Sequence, residues 1–239
     1  NSFHLKLNDV LELNNAIFTI NSDVVIEEGG QLKLKKDLFS YVSPTYYGEV
    51  LFSGTDEQNV FGSNTFKDLK IDNNVQLTTD QIIEGNLTLN TGTLVTNDFD
   101  LLIVSNENGS GQVFHNSGSI IGEVTMERRL SYNANSIGWH YLSFPMENLT
   151  VNDLNQDMQI IGLGTNADSD PFPSFYYYNE TNESKDFIKG WETPNNSGSN
   201  LNLMTGYIYY KYTKEEQKLK LKGNLFTGNK SKFLTYTSS

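Results

Sequence analysis

Short apolar pairs separated by small polar corners recur along the first half of the chain. In "EGNLTLNTGTLVTNDFDLLIV", residues 84–104, Leu87 and Leu89 alternate with Asn86 and Thr88. Leu94 follows Asn90-Thr91-Gly92, and Leu101 and Ile103 follow Asn97-Asp98. Each run predicts a strand of about three to five residues with one buried face. The pattern repeats over 10–35 as Leu11/Leu13, Ile17, Val24/Ile26 and Leu32/Leu34, and over 66–89 as Leu69/Ile71, Val75/Leu77, Ile82 and Leu87/Leu89. Leu69/Ile71 and Leu87/Leu89 lie 18 residues apart, and Val75 and Leu94 lie 19 apart. A period near ~20 with Asn, Asp and Gly corners is the mark of a solenoid.

Strands this short are stable only in a stack. In a right-handed parallel β-helix each one pairs with its equivalents about 4.8 Å above and below, and the inward side chains build a continuous column. Leu69, Ile71, Leu87, Leu89 and Leu101 are expected inside. Asn, Asp and Gly suit the corners because they accept left-handed backbone angles or bond the turn locally. Residues 1–123 are assigned to this solenoid. The stretch 37–63 breaks the period and is expected to protrude as a loop or hairpin. The alternative for this half is a β-sandwich of short strands. "ENGSG" at 107–111 fits hairpins better than the rest does.

From Val124 the pattern changes. Longer candidate strands appear at 124–130, 138–145, 174–180, 206–213 and 218–226, rich in aromatic residues. Residues 124–239 are therefore expected to form an antiparallel β-sandwich, with one helical turn near 150–160 capped by Thr150 or Asn152. The predicted fold class is all-β: a parallel β-helix followed by an antiparallel β-sandwich. Trp139 and Tyr207 are expected in the sandwich core, and Phe233 and Tyr236 on a final strand entering it.

Composition narrows the function. With 37% hydrophobic and 12% aromatic residues the chain can fill a core. A net charge of −12 argues against nucleic acid, which needs a basic footprint. The absence of cysteine excludes disulfides, thiolate metal sites and cysteine nucleophiles. No apolar run approaches the roughly 18 residues of a membrane span, and the opening "NSFHLKLND" is no signal peptide. Abundant Asn, Thr, Ser and Gly lean toward an extracellular protein.

Several motifs carry a resemblance. Gly85, Leu87, Leu89, Gly92 and Leu94 follow a Gly-x-Leu-x-Leu-x-x-Gly-x-Leu pattern. Arg128 and Arg129 then precede Gly138, Trp139, Leu142, Ser143 and Pro145 of a Gly-Trp-x-x-Leu-Ser-x-Pro strand. Leu203, Gly206 and Tyr207, then Gly223, Leu225 and Gly228, complete the set. Together, over most of residues 60–239, they resemble the β-helix and β-sandwich region of large secreted surface proteins of Bacteroidota. The resemblance implies an adhesin-like or structural protein, related to those of gliding motility, exported by the type IX secretion system to the cell surface. It also implies a following Gly-Trp-Asn strand and a sorting domain that these 239 residues lack. The chain is therefore expected to be a segment of a longer polypeptide. Its expected partners are other segments of that polypeptide, cell-surface or secretion-system proteins, and glycans.

Candidate chemistry is sparse. The histidines His4, His115 and His140 are scattered, and no zinc-protease, nucleophile-elbow or phosphate-loop motif occurs. The expectation is a non-catalytic module, with a polysaccharide-active β-helix enzyme as an alternative that would need a carboxylate-lined groove on the solenoid. Asn166, Asp168 and Asp170 alternate as a calcium loop begins, but Pro171 and Tyr177 break the EF-hand pattern. They remain candidates for a looser Ca²⁺ site, and no other cofactor is indicated. Alternation puts Tyr176 and Tyr178 on one sheet face and Phe175 and Tyr177 on the other. If one face is exposed, Tyr176, Tyr178, Trp191 and Tyr209 are the candidate ligand-binding residues of an aromatic platform for sugar rings.

Overall fold

The computed structural model describes residues 3–6, 8–20, 24–130, 137–165, 172–181 and 190–233. The chain divides into two compact units, Asn1–Arg128 and Arg129–Ser239. The fold is all-β, a parallel β-helix followed by an antiparallel unit.

The first unit is a solenoid with three faces. One face is a six-stranded parallel sheet, ordered Phe18–Ile20, Leu38–Ser40, Gln58–Phe61, Val75–Leu77, Thr93–Val95 and Ser119–Ile121. A second runs through Val10–Leu13, Gln31–Leu34, the later parts of Thr45–Phe52 and Asn64–Ile71, then Asn86–Leu89 and Gln112–His115. The third passes from the early parts of those two long strands through Gln81–Ile83 and Leu101–Ile103 to Glu123–Arg129.

Register is set by the inward columns. Leu32, Val50, Leu69 and Leu87 stack rung on rung, as do Leu34, Phe52, Ile71 and Leu89, and every one of these side chains is buried. A slip of one residue would turn a whole column to solvent. Each leucine contributes about 2 kcal/mol by its burial. Polar residues at the corners tie successive coils: the Asp37, Asp68 and Asp80 carboxylates accept the backbone N–H of Asn59, Asn86 and Asp100 on the next coil. One corner is built from buried polar side chains. Ser40 and Tyr46 both donate to Asn64 Oδ1, and Asn64 Nδ2 donates to Gln81 Oε1 at 2.9 Å. Such a chain keeps buried polar atoms satisfied. Gly92 makes the turn before Thr93–Val95 with φ +74°, where a Cβ would lie 2.4 Å from the Asn73 carbonyl carbon.

Two expectations are corrected here. Residues 37–63 do not protrude; Leu38–Ser40, Thr45–Phe52 and Gln58–Phe61 stack in register with their neighbours. Thr45–Phe52 is an eight-residue strand that passes through a corner with only a register shift between Tyr46 and Glu49. Without a polar turn at that corner the period is hidden. Glu123–Arg129, read as the first strand of the second domain, pairs in parallel with Leu101–Ile103 as a further rung of the solenoid. The division therefore falls at Arg128 rather than Glu123.

The second unit rests on a four-stranded antiparallel sheet, ordered Gly138–Leu142, Tyr207–Lys211, Phe175–Tyr178 and Trp191–Glu192. Its inner face is buried through Leu142, Phe175, Tyr207 and Tyr209, with Phe144 and Phe175 against the Tyr207 ring at 5.5 and 5.3 Å. Alternation along Lys218–Asn224 buries Leu219 and Leu221 and exposes the intervening lysines. The predicted helical turn is Val151–Leu154, where Asp153 accepts the backbone N–H of Thr150 at 2.7 Å. Phe233, expected in the core, is 94% exposed, because no strand follows Lys218–Asn224 among the described residues. Tyr236 lies outside them.

Candidate functional site

The outer face of the second unit's sheet is aromatic. Antiparallel register places directly opposed residues on one face, and the opposed pairs are Trp139 with Tyr210, Tyr141 and Tyr176 with Ile208, and Tyr178 with Trp191. The chain alternates along each strand, so Leu142, Phe175, Tyr177, Tyr207 and Tyr209 point the other way.

Two ring clusters result. In the larger, Trp139 sits 5.1 Å from Tyr210 at 73°, and 5.8 Å from both Phe172 and Tyr176. Tyr210 in turn meets Tyr212 at 4.9 Å. The Tyr212 hydroxyl donates to the Phe172 carbonyl at 2.9 Å, which holds Phe172 beside the indole. In the smaller cluster Tyr178 and Trp191 meet edge to face at 5.2 Å. Edge-to-face geometry is the arrangement that ring quadrupoles favour.

The short strand carrying Trp191 is anchored from beneath. On the inner face Glu192 accepts the Tyr177 hydroxyl at 2.9 Å and the Asn179 amide at 2.8 Å. Burial, then the bond to Glu192, raises the Tyr177 pKa, so the phenol stays a donor. Gly190, just before Trp191, lets the Tyr178 ring lie against the backbone; a Cβ there would be 2.4 Å from that ring.

These rings are accessible. Trp139 is 42% exposed, Tyr141 82%, Phe172 46% and Tyr178 42%. Large apolar side chains exposed side by side, as Trp139 and Phe172 are, mark an interaction site. Flat, rigid indole and phenol rings present an apolar face for stacking and a polar edge for hydrogen bonds, at little entropic cost.

Of the residues anticipated from sequence, Tyr176, Tyr178 and Trp191 share this face, with Tyr176 buried beneath Trp139 and Phe172. Tyr209 is corrected: it is 2% exposed and points into the core opposite Phe175. Trp139, expected in the core, is corrected in the opposite sense. Alternation shows which residues share a face but not which face is inside, and here both faces are aromatic. Tyr141, Phe172, Tyr210 and Tyr212 were not among the anticipated site residues, although the pairing of strands 138–142 and 207–211 groups Tyr141 and Tyr210 with Trp139. Asn166, Asp168 and Asp170 lie outside the described residues. Among the described residues no group of three or more His, Asp or Glu side chains is placed to hold a metal ion, and no helix is long and apolar enough to cross a membrane.

Comparison with family models, with curated proteins and with solved structures finds no match to this chain.

Proposed function

We propose that this chain is a non-catalytic extracellular surface module whose antiparallel unit binds carbohydrate on its aromatic face, while the parallel β-helix acts as a stiff spacer. The observation that carries the reading is the exposed aromatic face itself, with Trp139, Tyr141, Phe172 and Tyr178 open to solvent. Sugar rings stack their C–H faces on such surfaces. The net charge of −12 favours a neutral polysaccharide over uronic or sulfated chains. Stacked coils suit the spacer role, because each is held by its neighbours along a continuous core. The likeness of its motifs to exported Bacteroidota surface proteins supports an adhesin-like or structural role in type IX secretion cargo.

The test is titration calorimetry of the full chain against soluble neutral polysaccharides and their oligosaccharides, with Trp139→Ala and Tyr178→Ala in parallel. Binding that falls at least tenfold in both variants supports the reading. Binding unchanged in both, or none to any neutral glycan, sinks it.

A further inference from the structure

The solenoid carries a second feature, unrelated to the aromatic face. Where Gln81–Ile83 turns into Asn86–Leu89, the corner opens into a cleft of about 190 Å³ lined by Lys67, Asp68, Glu84, Asn86, Asn106 and Ser110. Its outer wall is an insertion. The coil-to-coil spacing is 17 to 20 residues at Asn64↔Gln81, Leu69↔Leu87 and Gln81↔Leu101, but 26 at Asn86↔Gln112. The extra residues form an antiparallel hairpin pairing Ser105 with Ser110 and Asn106 with Gly109. Beyond it the Gln112 N–H returns to the Gly85 carbonyl at 2.9 Å and the solenoid ladder resumes. The stack does not require the hairpin.

The hairpin is nonetheless fixed. Ser105 and Ser110 hydroxyls bond each other at 2.7 Å, and Arg128 Nη1 donates to Ser110 at 3.1 Å. Glu127 accepts the Ser105 N–H at 3.2 Å, and Asn106 accepts that of Asn108 at 2.8 Å. On the coil side Asp68 Oδ1 is held by the Asn86 N–H at 2.8 Å. Asp68 Oδ2, the Glu84 carboxylate and the Lys67 ammonium have no hydrogen-bond partner among the described residues, and all three line the cleft. A rigid wall thus faces a floor of uncommitted polar groups.

The donor set selects the ligand. Two carboxylates repel a phosphate or sulfate, and the Lys67 ammonium among them disfavours a simple cation. Two acceptor carboxylates, an ammonium and side-chain amides together match vicinal hydroxyls, each of which donates once and accepts once. The volume is below the roughly 300 Å³ lower bound of drug-sized sites, so the cleft suits a single small ring. We infer that this cleft is a second saccharide site, taking one residue of a neutral glycan through hydrogen bonds to its hydroxyls rather than by stacking.

The experiment is a ¹⁵N–¹H NMR titration of the full chain with methyl glycosides of neutral hexoses and pentoses. At least one glycoside should shift the amides of Asp68, Gly85, Asn86 and Asn106 to Ser110. The Asp68→Asn/Glu84→Gln double variant keeps an acceptor for the Asn86 N–H and should weaken that response at least tenfold. Trp139→Ala should leave it unchanged, which separates this site from the aromatic face. The inference is overturned if no glycoside moves these amides, or if the double variant titrates with the parent's midpoint.

Discussion

Trp139 and Tyr210 oppose each other across the antiparallel pair with ring centroids 5.1 Å apart, yet Trp139 keeps 42% of its surface open. A tryptophan in a closed core would cost about 3–5 kcal/mol on truncation to alanine. This one loses ring contacts on one side only, each worth about 0.5–1.5 kcal/mol. Trp139→Ala gives up the contacts with Tyr210, Phe172 and Tyr176 and should therefore destabilise the second unit by about 1.5–4.5 kcal/mol in urea melts, while glycan affinity falls at least tenfold. A loss of the cooperative transition in that variant would place Trp139 in the core after all.

Leu89 lies at the other extreme, fully buried and in register with Ile71. Leu89→Ala should cost about 2–5 kcal/mol, since neighbouring rungs cannot collapse far into the space. Leu89→Asp should unfold the coil. Ile82, one position before the buried Ile83, points outward at 37% exposure, so Ile82→Asp should change stability by no more than about 0.5 kcal/mol. Equal melting of the three variants would refute the inward assignment.

The contrast between Leu89 and Ile82 also shows what the sequence could reveal. The 18-residue spacing of Leu69/Ile71 and Leu87/Leu89 is the observed register, as is the 19-residue spacing of Val75 and Leu94. Alternation between polar corners leaves few other pairings, and "ENGSG" does mark a hairpin. Gln81-Ile82-Ile83 lacks that contrast: Gln81 is itself buried through its bond to Asn64, so which isoleucine points inward depends on a polar contact the pattern does not display. Tyr46 hides its coil for the same reason. It is a buried aromatic with a polar partner, inside a strand that crosses a corner without a turn. In the second unit the strands were legible, but Trp139 and Tyr209 exchanged places because hydrophobicity is equal on both faces. The cleft residues Lys67, Asp68 and Glu84 meet Ser110 only because one coil carries an insertion, which is a fact of stacking.

Tyr46 gives the solenoid a pH limit. Burial raises its pKa well above the ordinary 10.0, with the neighbouring Ser40 hydroxyl acting the other way. An unfolded tyrosine ionises near pH ~10 while the folded one keeps its proton. The stabilisation is thus fully present below pH ~10 and is lost as pH rises toward the folded pKa. Urea midpoints should fall steeply above pH ~10, and Tyr46→Phe should flatten part of that slope. At neutral pH the same variant should cost less than about 1 kcal/mol, because it removes one long hydrogen bond to Asn64. An unaltered alkaline slope would show that Tyr46 is not what titrates.

Gly190 tests the second ring cluster without removing any ring. An added Cβ would lie 2.4 Å from Tyr178 Cε2 and 2.7 Å from Cζ, so the ring must swing away from the backbone. The ring end is free to move because Tyr178 is 42% exposed, so the fold should survive Gly190→Ala within about 1 kcal/mol. The edge-to-face contact with Trp191 at 5.2 Å should not survive. If sugars stack across Tyr178 and Trp191 as one platform, losing their alignment should cost about 0.5–1.5 kcal/mol of binding, roughly two- to tenfold. Calorimetry on the glycan that the parent binds, beside a thermal melt, reads both quantities. Parent-like affinity in a folded Gly190→Ala variant would confine the glycan site to the Trp139 cluster.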